Sequence, residues 1–300
     1  MKAKIIFVMS VLLSAGLLFA QSNSSSVEQI GNGNEATVDQ TGDNNEALQH
    51  QGSETMNFTA NNSKAFITQV GSDNFAIQGQ AGAQNEATVI QDGNRNQAYQ
   101  GQLGRLNKAK ISHTYNGSKA YNSLHLQGQL GNGNNASVNV RSYGNFGLQA
   151  QIGNNNDARI NQSNRSNSAI MTQTGRRNIA YSGQSNLFQT FGLNALTVNQ
   201  NGRRNKTKIV QLGLKNSADV NQLGRNNVVR DDPTDPWSPG IDQKGDFNNA
   251  DVDQIGRRNY GLIGQTGNDN VGRIYSNGRD HSGTITQTGG MNKAIITQNN

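Results

Sequence analysis

The chain has 300 residues, 32% of them hydrophobic and 15% charged, and no cysteine. This excludes a thick aliphatic core, a disulfide scaffold and a chain held open by charge repulsion, leaving disorder or a fold held by regular hydrogen bonding. The net charge of +6 is uneven: residues 1–150 hold 9 Lys/Arg and 9 Asp/Glu, and residues 151–300 hold 17 and 11.

In chain order, Lys2 and Lys4 precede an apolar run from Ile5 to Ala20. A charged start, a short apolar region and a small residue predict a secretory signal peptide over 1–20, cut between Ala20 and Gln21. The run is short for a membrane helix, and no membrane span is expected elsewhere. Residues 21–28 read as a short N-terminal segment.

From residue 29 a repeat takes over. The pattern Q-x-G-x-x-N begins at Gln29, Gln40, Gln69, Gln80, Gln91, Gln102, Gln129, Gln151, Gln173, Gln200, Gln211, Gln222, Gln243, Gln254, Gln265 and Gln287. The asparagines that carry it include Asn34, Asn45, Asn74, Asn85, Asn96, Asn107, Asn134, Asn156, Asn178, Asn205, Asn216 and Asn292. Twelve of the sixteen copies place Ala at the next alternate position, as Ala36 does.

In NEATVDQ (34–40), Asn34, Ala36, Val38 and Gln40 alternate with Glu35, Thr37 and Asp39. Period two predicts a strand with an inward face and a variable, polar outward face. The four residues that follow hold a Gly at their second place, as Gly31 and Gly42 do, which permits a tight turn. Arms with an aliphatic third inward residue alternate with arms carrying Gln there, as in NEALQHQ (45–51), NFAIQGQ (74–80), NQAYQGQ (96–102) and NFGLQAQ (145–151). The expected fold is therefore an all-β solenoid of two-strand, 22-residue coils with amyloid-like cross-β stacking, over 29–227 and 243–300. The count is about 21 arms, hence about ten coils and a rod of roughly 50 Å. Gln and Asn would stack as amide ladders, and an open solenoid end would invite another molecule to add.

Residues 228–242 read as a loop insertion that breaks the ladder, because all three prolines and the only Trp fall in VVRDDPTDPWSPGI (228–241). Trp237 with Asp231, Asp232 and Asp235 is either a partner site or a tolerated turn insertion.

The turns TGRR (174–177), NGRR (201–204), LGRN (223–226) and IGRR (255–258) are Arg-rich. Arm counting puts the first three on one edge, giving a basic column of Arg176, Arg177, Arg203, Arg204 and Arg225. Arg257 and Arg258 belong to the same candidate set. This edge either binds an anionic polymer or acts as a gatekeeper against premature assembly. Calcium is not expected, since Asp is sporadic in an eleven-residue period. His50, His113, His125 and His281 show no metal-ligand spacing, and His113 and His281 occupy Gln and Asn slots. No catalytic constellation and no cofactor site stands out.

Gln29-Ile30-Gly31-Asn32-Gly33-Asn34-Glu35-Ala36-Thr37-Val38-Asp39-Gln40 fits Q-x-G-x-x-N-x-A-x-x-x-Q at every fixed position. This resembles the curlin repeat, over about residues 24–298. The resemblance implies a subunit of curli, the extracellular functional amyloid of Gram-negative bacteria. It implies export through an outer-membrane curli pore, templating by a nucleator subunit, and fibres that serve biofilm matrix, adhesion and aggregation. The length, the insertion and the Arg-rich turns depart from the usual major subunit. A monomeric solenoid adhesin binding glycan, DNA or another anionic polymer through the basic edge is the rival reading.

Overall fold

The computed structural model describes residues 22–52, 59–114, 120–185, 192–229 and 239–300. The signal-peptide reading, with Ala20 and Gln21, and Trp237 with its aspartates lie outside them.

Successive arms go to two facing sheets, and the strands of each sheet pair in parallel. One sheet, here the first, runs from Ser24–Gln29 through Glu46–Gln51, Phe75–Ala83 and Gln97–Arg105 to Lys293–Asn299. The second runs from Glu35–Thr41 through Lys64–Val70 and Glu86–Asn94 to Ser282–Thr288. This is a β-solenoid. Asn and Gly break most strands after six to nine residues, and the period-two pattern gives each arm one face to bury. Ala65, Ala87, Ala109, Ala136, Ala158 and Ala180 lie in register and are buried. Their small size lets the two sheets approach. Beside them run Ile67, Val89, Ile111, Val138 and Ile160.

Two segments read as non-repeat are arms. Ser24–Gln29 pairs in register with Glu46–Gln51, so 24–28 belong to an arm. Ser25 stands in the Ala slot, which hid the pattern. The insertion does not break the ladder either. Val228–Val229 and Ile241–Lys244 both pair with Lys206–Leu212 and with Tyr260–Thr266. Val229 and Ile241 take consecutive inward slots, so Asn227, Val229, Ile241 and Gln243 fill the four of one rung and are all buried. The solenoid thus has twelve rungs in the first sheet and eleven in the second.

Candidate functional site

The inward glutamines form continuous ladders. In the first sheet Gln29, Gln51, Gln80, Gln102, Gln129, Gln151, Gln173, Gln200, Gln222 and Gln254 each donate from Nε2 to Oε1 of the next, at 2.7–3.0 Å. In the second sheet Gln40, Gln69 and Gln91 do so, and then Gln162, Gln184, Gln211, Gln243, Gln265 and Gln287. A third ladder joins Gln49, Gln78, Gln100, Gln127 and Gln149. Its members mark the Gln arms in the sequence but were not counted among the ladder residues there. Gln49 Oε1 has no donor because Val27 occupies that slot one rung earlier.

The second N–H of each amide crosses the core. Gln102 Nε2 also donates to Glu86 O at 3.0 Å, and Gln80 Nε2 to Lys64 O at 2.9 Å, both on the facing sheet. A carbonyl only accepts, so this bond fixes which way each amide points. The ladders therefore run in one direction, with donors facing the C-terminal end.

The asparagines do different work. Asn74 Nδ2 donates to Gly93 O of the next turn at 2.7 Å, and the Asn96 backbone N–H donates to Asn74 Oδ1 at 3.1 Å. Asn107, Asn134, Asn156 and Asn178 repeat the arrangement. Asn thus ties turns to turns, while Gln ties rung to rung and sheet to sheet. In the Q-x-G turns the glycine has positive φ, +124° at Gly104. The residue before Asn is left-handed as well: Arg95, Leu106, Arg177, Arg204 and Arg258 all have φ of 57–59°. Arg and Leu do not announce that conformation, although Gly33, Asn44, Asp73 and Asn155 hold the same slot in other turns.

The Arg-rich turns gather on one edge. Arg176, Arg203, Arg225, Arg257 and Arg279 are in register on five successive rungs, and all are exposed. Arg177, Arg204 and Arg258 form a shorter column beside them, linked through backbone bonds such as Arg204 N to Arg176 O. The fourth turn therefore shares the edge of the first three, and Arg279 joins it. Reading 228–242 as a loop rather than an arm hides this, because one missed arm flips the parity of every later turn. Of these guanidiniums Arg258 is in an ion pair, with Asp280 at 2.7 Å.

Outward columns differ between the sheets. On the second, Glu35, Lys64, Glu86 and Lys108 alternate in sign along one column, with Glu35–Lys64 at 3.1 Å and Glu86–Lys108 at 3.5 Å. On the first, the expected polar face is absent between Phe75 and Ile152: Ile77, Tyr99, Leu126 and Leu148 stack in one column. Further along the same face Asp219 lies opposite Asp251, with Asp253 beside them. Partial burial raises all three carboxyls, and Asp251 raises both Asp219 and Asp253 further. A raised carboxyl destabilises the fold once ionised, and falling pH relieves this. Asp251→Asn is expected to raise the thermal midpoint at pH 7, with the gain shrinking as pH nears 4; scanning calorimetry at both pH values checks it.

His113 and His125 meet in the core. His113 fills a Gln slot between Gln91 and Val140, and His125 fills the Ala slot between Ala98 and Gly147. Gln162 spends its N–H groups on Phe146 O and Gln184 Oε1, so its Oε1 accepts from His125 Nε2 at 2.9 Å. His125 Nδ1 must then accept from His113 Nε2, at 2.7 Å. The pair reaches past Val140, which cannot hydrogen-bond, to Gln162, while His113 Nδ1 has no partner, so the ladder resumes at the histidines rather than running on from Gln91. A spacing of twelve residues between facing arms is invisible until the arms are folded. His281 sits in an Asn slot, its backbone N–H donating to Asn259 Oδ1 at 3.2 Å. Among the described residues no cluster of three or more His, Asp or Glu is arranged to hold a metal, and no helix is long and apolar enough to cross a membrane.

The family model described as curlin associated repeat matches residues 20–48, 60–93, 82–112, 194–224 and 245–271. No curated protein matches the chain in sequence. The stretch between the third and fourth matched segments continues the same rungs in register, from Leu124–Asn132 to Ile179–Ser185.

Proposed function

The chain is a curlin-repeat protein, and from that premise we propose that it is a secreted structural subunit that assembles end to end into curli-like extracellular fibres. The observation that carries this is the polarity of the ladders. At the C-terminal end Gln298 Nε2 donates to Ser282 O and to no further glutamine. At the other end Gln29 and Gln40 donate onward, and no ladder glutamine donates to them. Among the described residues Lys293–Asn299 and Ser24–Gln29 each pair on one side. Donors at one end and acceptors at the other make a head-to-tail contact, which does not close and so builds a filament. Unpaired N–H and C=O groups on the end strands supply the template.

In this reading the protein is a matrix component rather than an enzyme. Its partners are further copies, other curlin subunits including a nucleator, and an outer-membrane curli pore, at the surface of a Gram-negative cell. The fibres serve biofilm, adhesion and aggregation. Gln29→Ala with Gln298→Ala removes both ends of one interfacial bond, at about 1 kcal/mol net, and is expected to slow seeded elongation several-fold. Asp39→Asn, on the outward face, is expected to leave it unchanged. Thioflavin T kinetics with fibre diffraction near 4.7–4.8 and 10 Å tests this, and equal rates for the two variants would sink it.

The five-rung arginine column favours a second reading, in which the solenoid also binds an anionic polymer along that edge. Guanidiniums repeating at about 4.8 Å repel one another, and a polyanion laid along the column relieves that repulsion. Its mark is binding to an acidic polysaccharide or DNA that weakens with salt and with Arg203→Gln plus Arg225→Gln.

A further inference from the structure

Gly79, Gly101 and Gly128 lie in register on the outward face of the first sheet, followed by Ala150. They differ from the turn glycines. Their φ is not positive, and a Cβ added at any of the three meets nothing within 4 Å. Nothing inside the fold requires glycine there, and glycine in a strand is unfavourable. The column forms the floor of a groove of about 830 Å³. One wall is Ile77, Tyr99, Leu126 and Leu148; the other is Leu103, Leu130 and Ile152, which are 37%, 46% and 47% exposed. Among the described residues from Phe75 to Ile152 this face carries one charge, Arg105 at its edge, and the Glu28–His50 pair lines the end of the groove. An exposed apolar surface of this extent marks an interaction site, and glycine in its floor marks close approach from outside.

We propose that this groove takes the Leu103–Leu130–Ile152 ridge of a second copy of the chain, pairing two solenoids side by side. The spacing selects the occupant. A ridge that fits must present one aliphatic side chain per rung, at about 4.8 Å, and the ridge beside the groove does so. A two-fold axis between floor and ridge seats each copy's ridge in the other's groove, an isologous contact. The result is a dry interdigitated interface of the steric-zipper kind. From Leu48 to Ile170 the face spans roughly 500 Å² per copy, so the pair buries roughly 1,000 Å², where specific interfaces begin. Between Phe75 and Ile152 no charged side chain stands on the floor or on either wall, so a self-contact there brings no like charges together. Lateral pairing is independent of end-to-end growth, so it stands or falls apart from the proposed fibre.

The test is sedimentation velocity on the soluble chain before any fibre forms, then fibre width by electron microscopy. Gly101→Val with Gly128→Val fills the groove from positions where a Cβ stands in open space, and Leu130→Lys puts a charge on the ridge. Circular dichroism checks that both remain folded. The wild type is expected to show a monomer–dimer equilibrium, and each variant to weaken the dimer at least tenfold and to leave single, unpaired filaments. A wild-type dimer unchanged in both variants overturns the proposal. So does a monomeric wild type whose groove binds thioflavin T, which would make the groove a site for a flat apolar small molecule instead.

Discussion

Gly104→Ala is expected to unfold several rungs of the solenoid, while Gly101→Ala, three residues away, leaves it intact or slightly stabilised. At Gly104 φ is +124°, and a Cβ would run into the carbonyl oxygen of Gly131 in the next turn. That oxygen cannot retreat, because Asn107 Nδ2 holds it at 2.8 Å. The substitution therefore combines backbone strain with overpacking, together about 2–5 kcal/mol. The damage should spread, since each turn glycine abuts the next: Gly82 meets Gly104, and Gly131 meets Gly153. At Gly101 the conformation suits any residue and the space is open, so alanine gains about 0.5–1 kcal/mol by restricting the unfolded chain. Urea denaturation of the two variants side by side decides it. If both behaved alike, glycine would matter here only as a flexible residue, and the stacked-turn account would be wrong.

That contrast shows what was legible in the sequence. Both glycines sit in the string YQGQLGR (99–105), and only the eleven-residue period tells them apart. Whatever repeats was readable: the arms, the turn glycines, the end-slot glutamines and the all-β solenoid. What departs from the repeat was not. Val228–Val229 and Ile241–Lys244 form one rung although ten extra residues divide it, because pairing with the rungs on either side sets the register rather than chain continuity. From that one miss it follows that arm counting joins only the first three Arg-rich turns and stops short of Arg257 and Arg258, since sheet membership depends on counting every arm. The apolar outward column was missed for another reason. Leu126 and Leu148 are unremarkable singly within polar arms, and become a surface only when stacking puts them one rung apart.

The second large effect is on pH. Between pH 6.5 and 4 the wild type is expected to lose about 3 kcal/mol or more relative to His113→Gln/His125→Ala, which restores the repeat's own residues to both slots. Burial lowers His125 to about 4, and burial with the charge of its neighbour lowers His113 well below its ordinary value. In the fold both rings stay neutral, because His125 Nδ1 must accept the proton that His113 Nε2 offers. A proton added to His125 would set two N–H groups against each other. In the unfolded chain both rings titrate near 6.5. Above that pH neither state binds protons and the pair has no pH-dependent effect. Below it the unfolded chain takes up protons that the fold refuses, so stability falls by about 1.4 kcal/mol per pH unit per histidine. For His125 the loss levels off once pH passes below about 4. Asp219, Asp251 and Asp253 act in the opposite sense, but they are common to both proteins and cancel in the difference. Urea midpoints at pH 7, 5.5 and 4.5 should therefore diverge steadily, and the rungs joined by His113 and His125 should open first by hydrogen exchange. Parallel midpoints across that range would mean the two rings are not held neutral.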